Sequence, residues 1–95
     1  MLLKNYLVVN MNNEEFEKKL NQFTGKEVLM FDKAGYVFMA QIHGIKKNKA
    51  GLYKIDEYDH LHDFWFNRYI NHDEVVEIKR YERKEKIGYN GIKNE

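Results

Sequence analysis

The chain has no cysteine and no proline. It also has no serine and a single threonine, Thr24. Without cysteine there are no disulfides, no thiolate metal ligands and no thiol nucleophile. Without serine, the common acyl-transfer arrangements of an activated nucleophile beside a base cannot be built, which leaves carboxylate, lysine or tyrosine chemistry. The neighbouring carboxylates Asp56/Glu57 and Asp73/Glu74 would point to opposite faces of a strand and cannot easily share acid–base work. Gly25-Lys26 lacks the preceding glycine and the following Ser/Thr of a phosphate-binding loop. We therefore expect no enzymatic activity and no cofactor. An excess of charge is missing as well. Sixteen Lys and Arg stand against 15 Asp and Glu, a net charge of +1. That balance excludes an acidic nucleic-acid mimic and a uniformly basic nucleic-acid coat. No run approaches the roughly 20 apolar residues of a membrane helix. The opening MLLKNYLVVN is short, and no small-residue cleavage site follows it. The expected location is the cytoplasm, away from membranes.

The chain does hold 43 % hydrophobic and 15 % aromatic residues in 95 positions, enough for one folded domain and too little for two cores. Its richness in Asn, Lys, Ile and Tyr fits an AT-rich bacterial or phage genome. Residues 1–12 read as an N-terminal arm or edge strand. Asn10, Asn12 and Asn13 offer helix-capping oxygens, and Glu14 and Glu15 suit a helix N-terminus. Phe16, Leu20 and Phe23 follow on one helical face, and Gly25 supplies the stop, which predicts a helix from about Asn13 to Phe23. The period then changes to that of strands: Glu27–Phe31, a turn at Asp32–Gly35, and a long strand from Tyr36 to Ile45 with a bend at Gly44. Further strands are expected at Leu52–Tyr58, Phe64–Ile70 and Val75–Tyr81, joined by polar connections at Asp59–Asp63 and Asn71–Glu74. Residues 82–95 form a charged tail, read as flexible.

One helix and five short strands with tight turns predict a mainly β (α+β) domain over residues 13–81, curled into a small, strongly bent barrel plugged by the helix. The segment from Phe23 to Ile45, with Gly25 and Gly35 at its turns and Ala40 where a strand must bend, resembles the first half of an Sm-like or SH3-like barrel. The segment from Phe64 to Ile78 is similar to the closing strands of that architecture and to the end of the YolD-like group of small bacterial proteins. The resemblance concerns the fold. The Asn of the first Sm motif has no counterpart here, and Arg68 is followed by Tyr69, not Gly, so the Sm base pocket does not carry over.

A barrel this small needs bulky rings inside, and the surplus must face outward. Trp65, Tyr69 and Phe64, with the acidic turns at Asp63, Asp73 and Glu74, are the expected protein-contact surface, since Tyr and Trp are common interface anchors. The expected function is a non-catalytic binding module acting on a protein partner or by self-association; a phage- or mobile-element-encoded inhibitor of a host or defence protein fits it. A second reading uses Lys46, Lys47, Lys49, Lys54, Arg80 and Arg83 to hold phosphates of a single-stranded nucleic acid while neighbouring rings stack on bases. A third places a small ligand or nucleotide at an oligomer interface. His60, His62 and His72 form a weaker candidate metal set, because imidazoles two residues apart share a strand face. Charge is also zoned. Acidic groups outnumber Arg68 between Asp59 and Ile78, and basic groups predominate from Lys79 onward, so the zones are expected to pair with each other or with a second copy.

Overall fold

The computed structural model describes residues 11–82, and the expectations for the N-terminal arm and the charged tail lie outside that range. The elements run α1 (Asn13–Gln22), β1 (Glu27–Asp32), β2 (Val37–Gln41), β3 (Tyr53–Asp59), β4 (Phe64–Ile70), a 3-10 turn (His72–Glu74) and β5 (Val75–Arg80). The helix starts where Asn12 accepts a hydrogen bond from the Glu15 amide (2.8 Å) while Glu15 accepts one from the Asn12 amide (3.1 Å). Two otherwise unpaired backbone donors are thereby satisfied. After the helix, Gly25 takes a left-handed φ of +81° and donates its amide to the Ile42 carbonyl (2.7 Å), tying the helix exit to the end of β2. The β1–β2 turn is held by the Asp32 carboxylate, which accepts from the Ala34 and Tyr36 amides (2.9 Å each).

All ladders are antiparallel, in the order β4-β3-β2-β1-β5. Phe16 and Leu20 of α1 are fully buried against Val28, Met30, Ala40, Ile42, Tyr53, Ile55, Ile70, Val75 and Ile78, with Phe38 at the margin. Every strand thus contributes to one core. Met11 and Phe23, on either side of the helix, pack against its rim.

The sheet does not close into the expected barrel. The sheet is open, because β4 and β5 form no ladder with each other among the described residues. It is nevertheless strongly curled. Laid flat, five strands would put β4 and β5 roughly 19 Å apart. Only Asn71–Glu74 join them, and with a 3-10 turn in that link its reach is about 13 Å. The β2–β3 ladder is the shortest, with two paired positions, Ala40↔Glu57 and Gln41↔Asp56. The helical segment bridges the opening instead. Met11 donates its amide to the Val75 carbonyl of β5 (3.1 Å), and Tyr53 of β3 donates its hydroxyl to Glu17 of α1 (2.6 Å).

The β2 strand is also shorter than expected from the apolar run that reaches Ile45. It stops at Gln41, and Ile42 bonds to Lys26 and Gly25 at the helix–strand junction. Gly44, at φ +87°, turns the chain away at a conformation that a side chain would strain. Among the described residues no helix is long and apolar enough to cross a membrane.

Candidate functional site

The β3–β4 hairpin pairs over its full length, from Tyr53↔Ile70 to Asp59↔Phe64. Side chains alternate across a strand, so the buried Tyr53, Ile55 and Ile70 fix which face is which. The core side continues outward as Ile55↔Arg68, Glu57↔Phe66 and Asp59↔Phe64. The outer side carries Lys54↔Tyr69, Asp56↔Asn67 and Tyr58↔Trp65.

Three tiers follow on the outer side. At the hairpin tip Trp65 leans on Tyr58 (centroids 5.2 Å apart), and His60 meets the same tyrosine edge-on at 5.2 Å. In the middle, Asp56 accepts from Nδ2 of Asn67 (2.6 Å) and from Nε2 of His43 (2.9 Å). An ionised carboxylate only accepts, so that imidazole carries its proton on Nε2 in the bond, and Nδ1 is left for another group. At the base, Tyr69 and Lys54 lie beside Lys46 and Lys47. Those two lysines are set by the backbone, because the Lys54 amide donates to the Lys46 carbonyl (2.8 Å) and Lys47 bridges Tyr53.

Two hollows open between these tiers. A cavity of about 80 Å³ is lined by His43, Lys46, Lys54, Ile55, Asp56 and Asn67. A broader, more open cleft of about 160 Å³ is lined by Lys46, Lys47, Asn48, Lys54 and Tyr69. Lys46 and Lys54 are common to both. Lys47 is offset by Glu17 (3.6 Å), whereas Lys46 and Lys54 form no ion pair with any described carboxylate.

The hairpin tip is organised by Asp59, whose Oδ1 accepts from the Leu61 and His62 amides (2.9 and 3.1 Å) and whose Oδ2 meets Nδ1 of His62 (3.0 Å). These bonds, that to the His62 ring foremost, hold the Asp59 carboxyl below its ordinary value against a smaller desolvation effect. Asp63 takes a positive φ of 56° at the turn and accepts a short hydrogen bond from the Tyr58 hydroxyl.

On the core side, Arg68 closes the hairpin over the edge of the core. Its guanidinium sits 4.7 Å from the Phe38 ring centroid, 2.6 Å from Glu57 and 3.5 Å from Glu74. Beyond it Phe64 and Phe66 are left outside (48 and 36 % exposed), their rings 6.1 Å apart, and Leu61 at the tip is 89 % exposed.

The residues expected to contact a protein are therefore distributed over β4. Trp65 and Tyr69 share the outer face, Phe64 lies on the core side, and Asp63 belongs to the tip. Asp73 and Glu74 stand beyond the far end of the strand. There the Asn71 side chain accepts from the Asp73 amide, and Glu74 accepts from the Asn71 amide. Of the basic set, Lys46, Lys47 and Lys54 come together with Tyr69, while Lys49 lies in the Asn48–Gly51 turn outside both hollows. Arg80 ends β5 on the opposite edge of the sheet beside Glu82 (3.4 Å), and Arg83 lies outside the described residues. The histidines are not grouped. His60 and His62 flank the tip, whereas His72 follows β4 and bonds through Nδ1 to the Met11 carbonyl (2.6 Å). No group of three or more His, Asp or Glu fit to hold a metal ion occurs among the described residues.

The sequence reading did not single out His43, Asp56 and Asn67 as partners. They come from three separate segments: the β3–β4 register sets Asp56 opposite Asn67, and the β2–β3 pairing of Gln41 with Asp56 brings His43 beside it. The alternation of β3 does place Asp56 on the face opposite Ile55, which was the one available signal. Comparison with protein-family models, curated proteins and solved structures finds no match for this chain.

Proposed function

We propose that this chain is a small, non-catalytic SH3-like binding domain that engages a protein partner along β4. The strand order, the strong curl and the helix set into the open side support the finer fold reading. The function rests on one observation: among the described residues β4 is an edge strand, bordered on both faces by rings that the core does not bury. Tyr69, Phe64 and Phe66 are 50, 48 and 36 % exposed, and the half-buried Trp65 lies against Tyr58. An edge strand offers unpaired N–H and C=O groups to an incoming strand, and the flanking side chains supply specificity. Proteins commonly blunt such edges with proline, lysine or a bulge. Here β4 reads FWFNRYI, with one charged residue, and its ladder to β3 has no bulge.

Alanine substitution separates binding from folding. Trp65→Ala and Tyr69→Ala are expected to retain the wild-type circular dichroism spectrum and a cooperative melt while losing most of their affinity for the partner isolated with the wild-type chain. Collapse of the fold in both variants would show that these rings belong to the core and would remove the basis of the reading.

A further inference from the structure

Behind Tyr69, the two hollows that share Lys46 and Lys54 fit a ligand with two unlike parts. The cavity of about 80 Å³ has the room of roughly two or three water molecules, enough for one tetrahedral oxyanion and too little for a ring. Its walls supply two lysines that form no ion pair with a described carboxylate, together with the Asn67 amide. The one acid present, Asp56, has both oxygens engaged, by His43 (2.9 Å) and Asn67 (2.6 Å), so that it fixes those two groups in place. Lysine is a compact point charge suited to phosphate oxygens approaching from any direction. The adjoining cleft of about 160 Å³ is open and lined by the half-exposed Tyr69. A planar base stacks on such a ring with little regard to its identity.

We infer that the hollow framed by His43, Lys46, Lys54, Asp56 and Asn67 binds the phosphate of a nucleotide whose base lies on Tyr69. Lys46 and Lys54 hold the phosphate oxygens, and Lys47, half-committed to Glu17, borders the base. The chemistry is shared by a free nucleoside monophosphate and by one nucleotide of a single strand. This site shares Tyr69 with the surface of β4 but not its phosphate-holding Lys46 and Lys54, so loss of nucleotide in the double lysine variant and loss of the protein partner in Trp65→Ala report on the two readings separately.

The test is a titration of the full chain at constant ionic strength, read by amide chemical shifts and by the fluorescence of Trp65, the single tryptophan. The probes are inorganic phosphate, uridine monophosphate and a short oligothymidylate. The expected result is saturable shifts at residues 43–48, 54–56 and 67–69 with the monophosphate. Affinity should fall by about tenfold or more in the Lys46→Gln/Lys54→Gln variant, the loss of charge-assisted bonds to two cations. Tyr69→Ala should weaken uridine monophosphate and leave inorganic phosphate unchanged. Tighter binding of the oligothymidylate, with a steep salt dependence, assigns the source to a strand. Equal or tighter binding of the monophosphate assigns it to free nucleotide. Shifts that do not saturate, that spread evenly over Lys18, Lys33 and Lys79, or that persist in the double lysine variant overturn the inference.

Discussion

Tyr53 shows how one side chain can serve both packing and orientation. Its ring is fully buried, edge-on to Phe16 at 4.9 Å, and its hydroxyl reaches Glu17 at 2.6 Å, with the Asn13 side chain 3.2 Å away. Burial first, and then the bond to the Glu17 carboxylate and its negative charge, push the phenol up to about 12. An unfolded tyrosine ionises near 10, so between those values the unfolded chain gives up a proton that the folded chain keeps. Stability should therefore fall as pH rises from about 10 to about 12, and Tyr53→Phe should flatten that alkaline limb. Denaturant melts across this range, alongside tyrosinate absorbance, provide the check. At neutral pH the same variant should lose about 1–2 kcal/mol, the low end for a bond to a part-exposed carboxylate. Arg68 is a second such residue, joining Phe38, Glu57 and Glu74. Arg68→Lys should recover little of the stability lost in Arg68→Ala, because an ammonium cannot stack on Phe38 and reach two carboxylates at once. The burial of Tyr53 was legible from the alternation of its strand. Its link to Glu17, 36 positions away, was not, since it exists only once the helix lies across the sheet.

At the scale of elements, local chemistry decided most boundaries. The β4 strand begins and ends where its apolar and aromatic run does, and α1 starts beside an asparagine, as its capping preference requires. Asn12→Ala should cost about 1 kcal/mol, measured by chemical denaturation, because the Glu15 amide at the helix start loses its partner. The β2 strand was read too long because its apolar run continues to Ile45 while Gly44 and the bonds of Ile42 turn the backbone away from the sheet. Apolar composition alone carries no signal for that departure. The β3–β4 tip depends on the ionised Asp59 carboxylate. Its folded-state value lies below the ordinary one, so its contribution is fully present above about pH 4 and is lost as the pH falls through the folded value. The amide resonances of Leu61 and His62 should move together in the acid range, and Asp59→Asn should abolish that coupled movement while keeping one capping oxygen. Independent titration of the two amides in the wild-type chain would contradict this account of the tip.

For the molecule as a whole, the helix takes the place of a missing ladder. A chain with one helix and five strands announced its layers, and its alternation announced the core, yet whether β4 pairs with β5 depends on register and twist, which periodicity does not carry. The same is true of the candidate surface. Trp65 and Tyr69 stood out as surplus rings, but the grouping of Tyr69 with Lys46 and Lys54, and of His43 with Asp56 and Asn67, follows from how β3 pairs with its neighbours on both sides. If the helix closes the core and the outward rings of β4 are spare, the two should differ in energetic weight. Phe16→Ala should cost about 3–5 kcal/mol and come close to unfolding a domain of this size, while Trp65→Ala should cost about 1 kcal/mol.

The most direct measurement places a photo-reactive phenylalanine derivative at Tyr69 or Phe64 in turn, with Lys18 on the outer side of α1 as control, and cross-links the chain in its native extract. The account predicts discrete protein adducts from both β4 positions and none from Lys18. Equal labelling from all three positions, or no protein adduct from either β4 position, would contradict it.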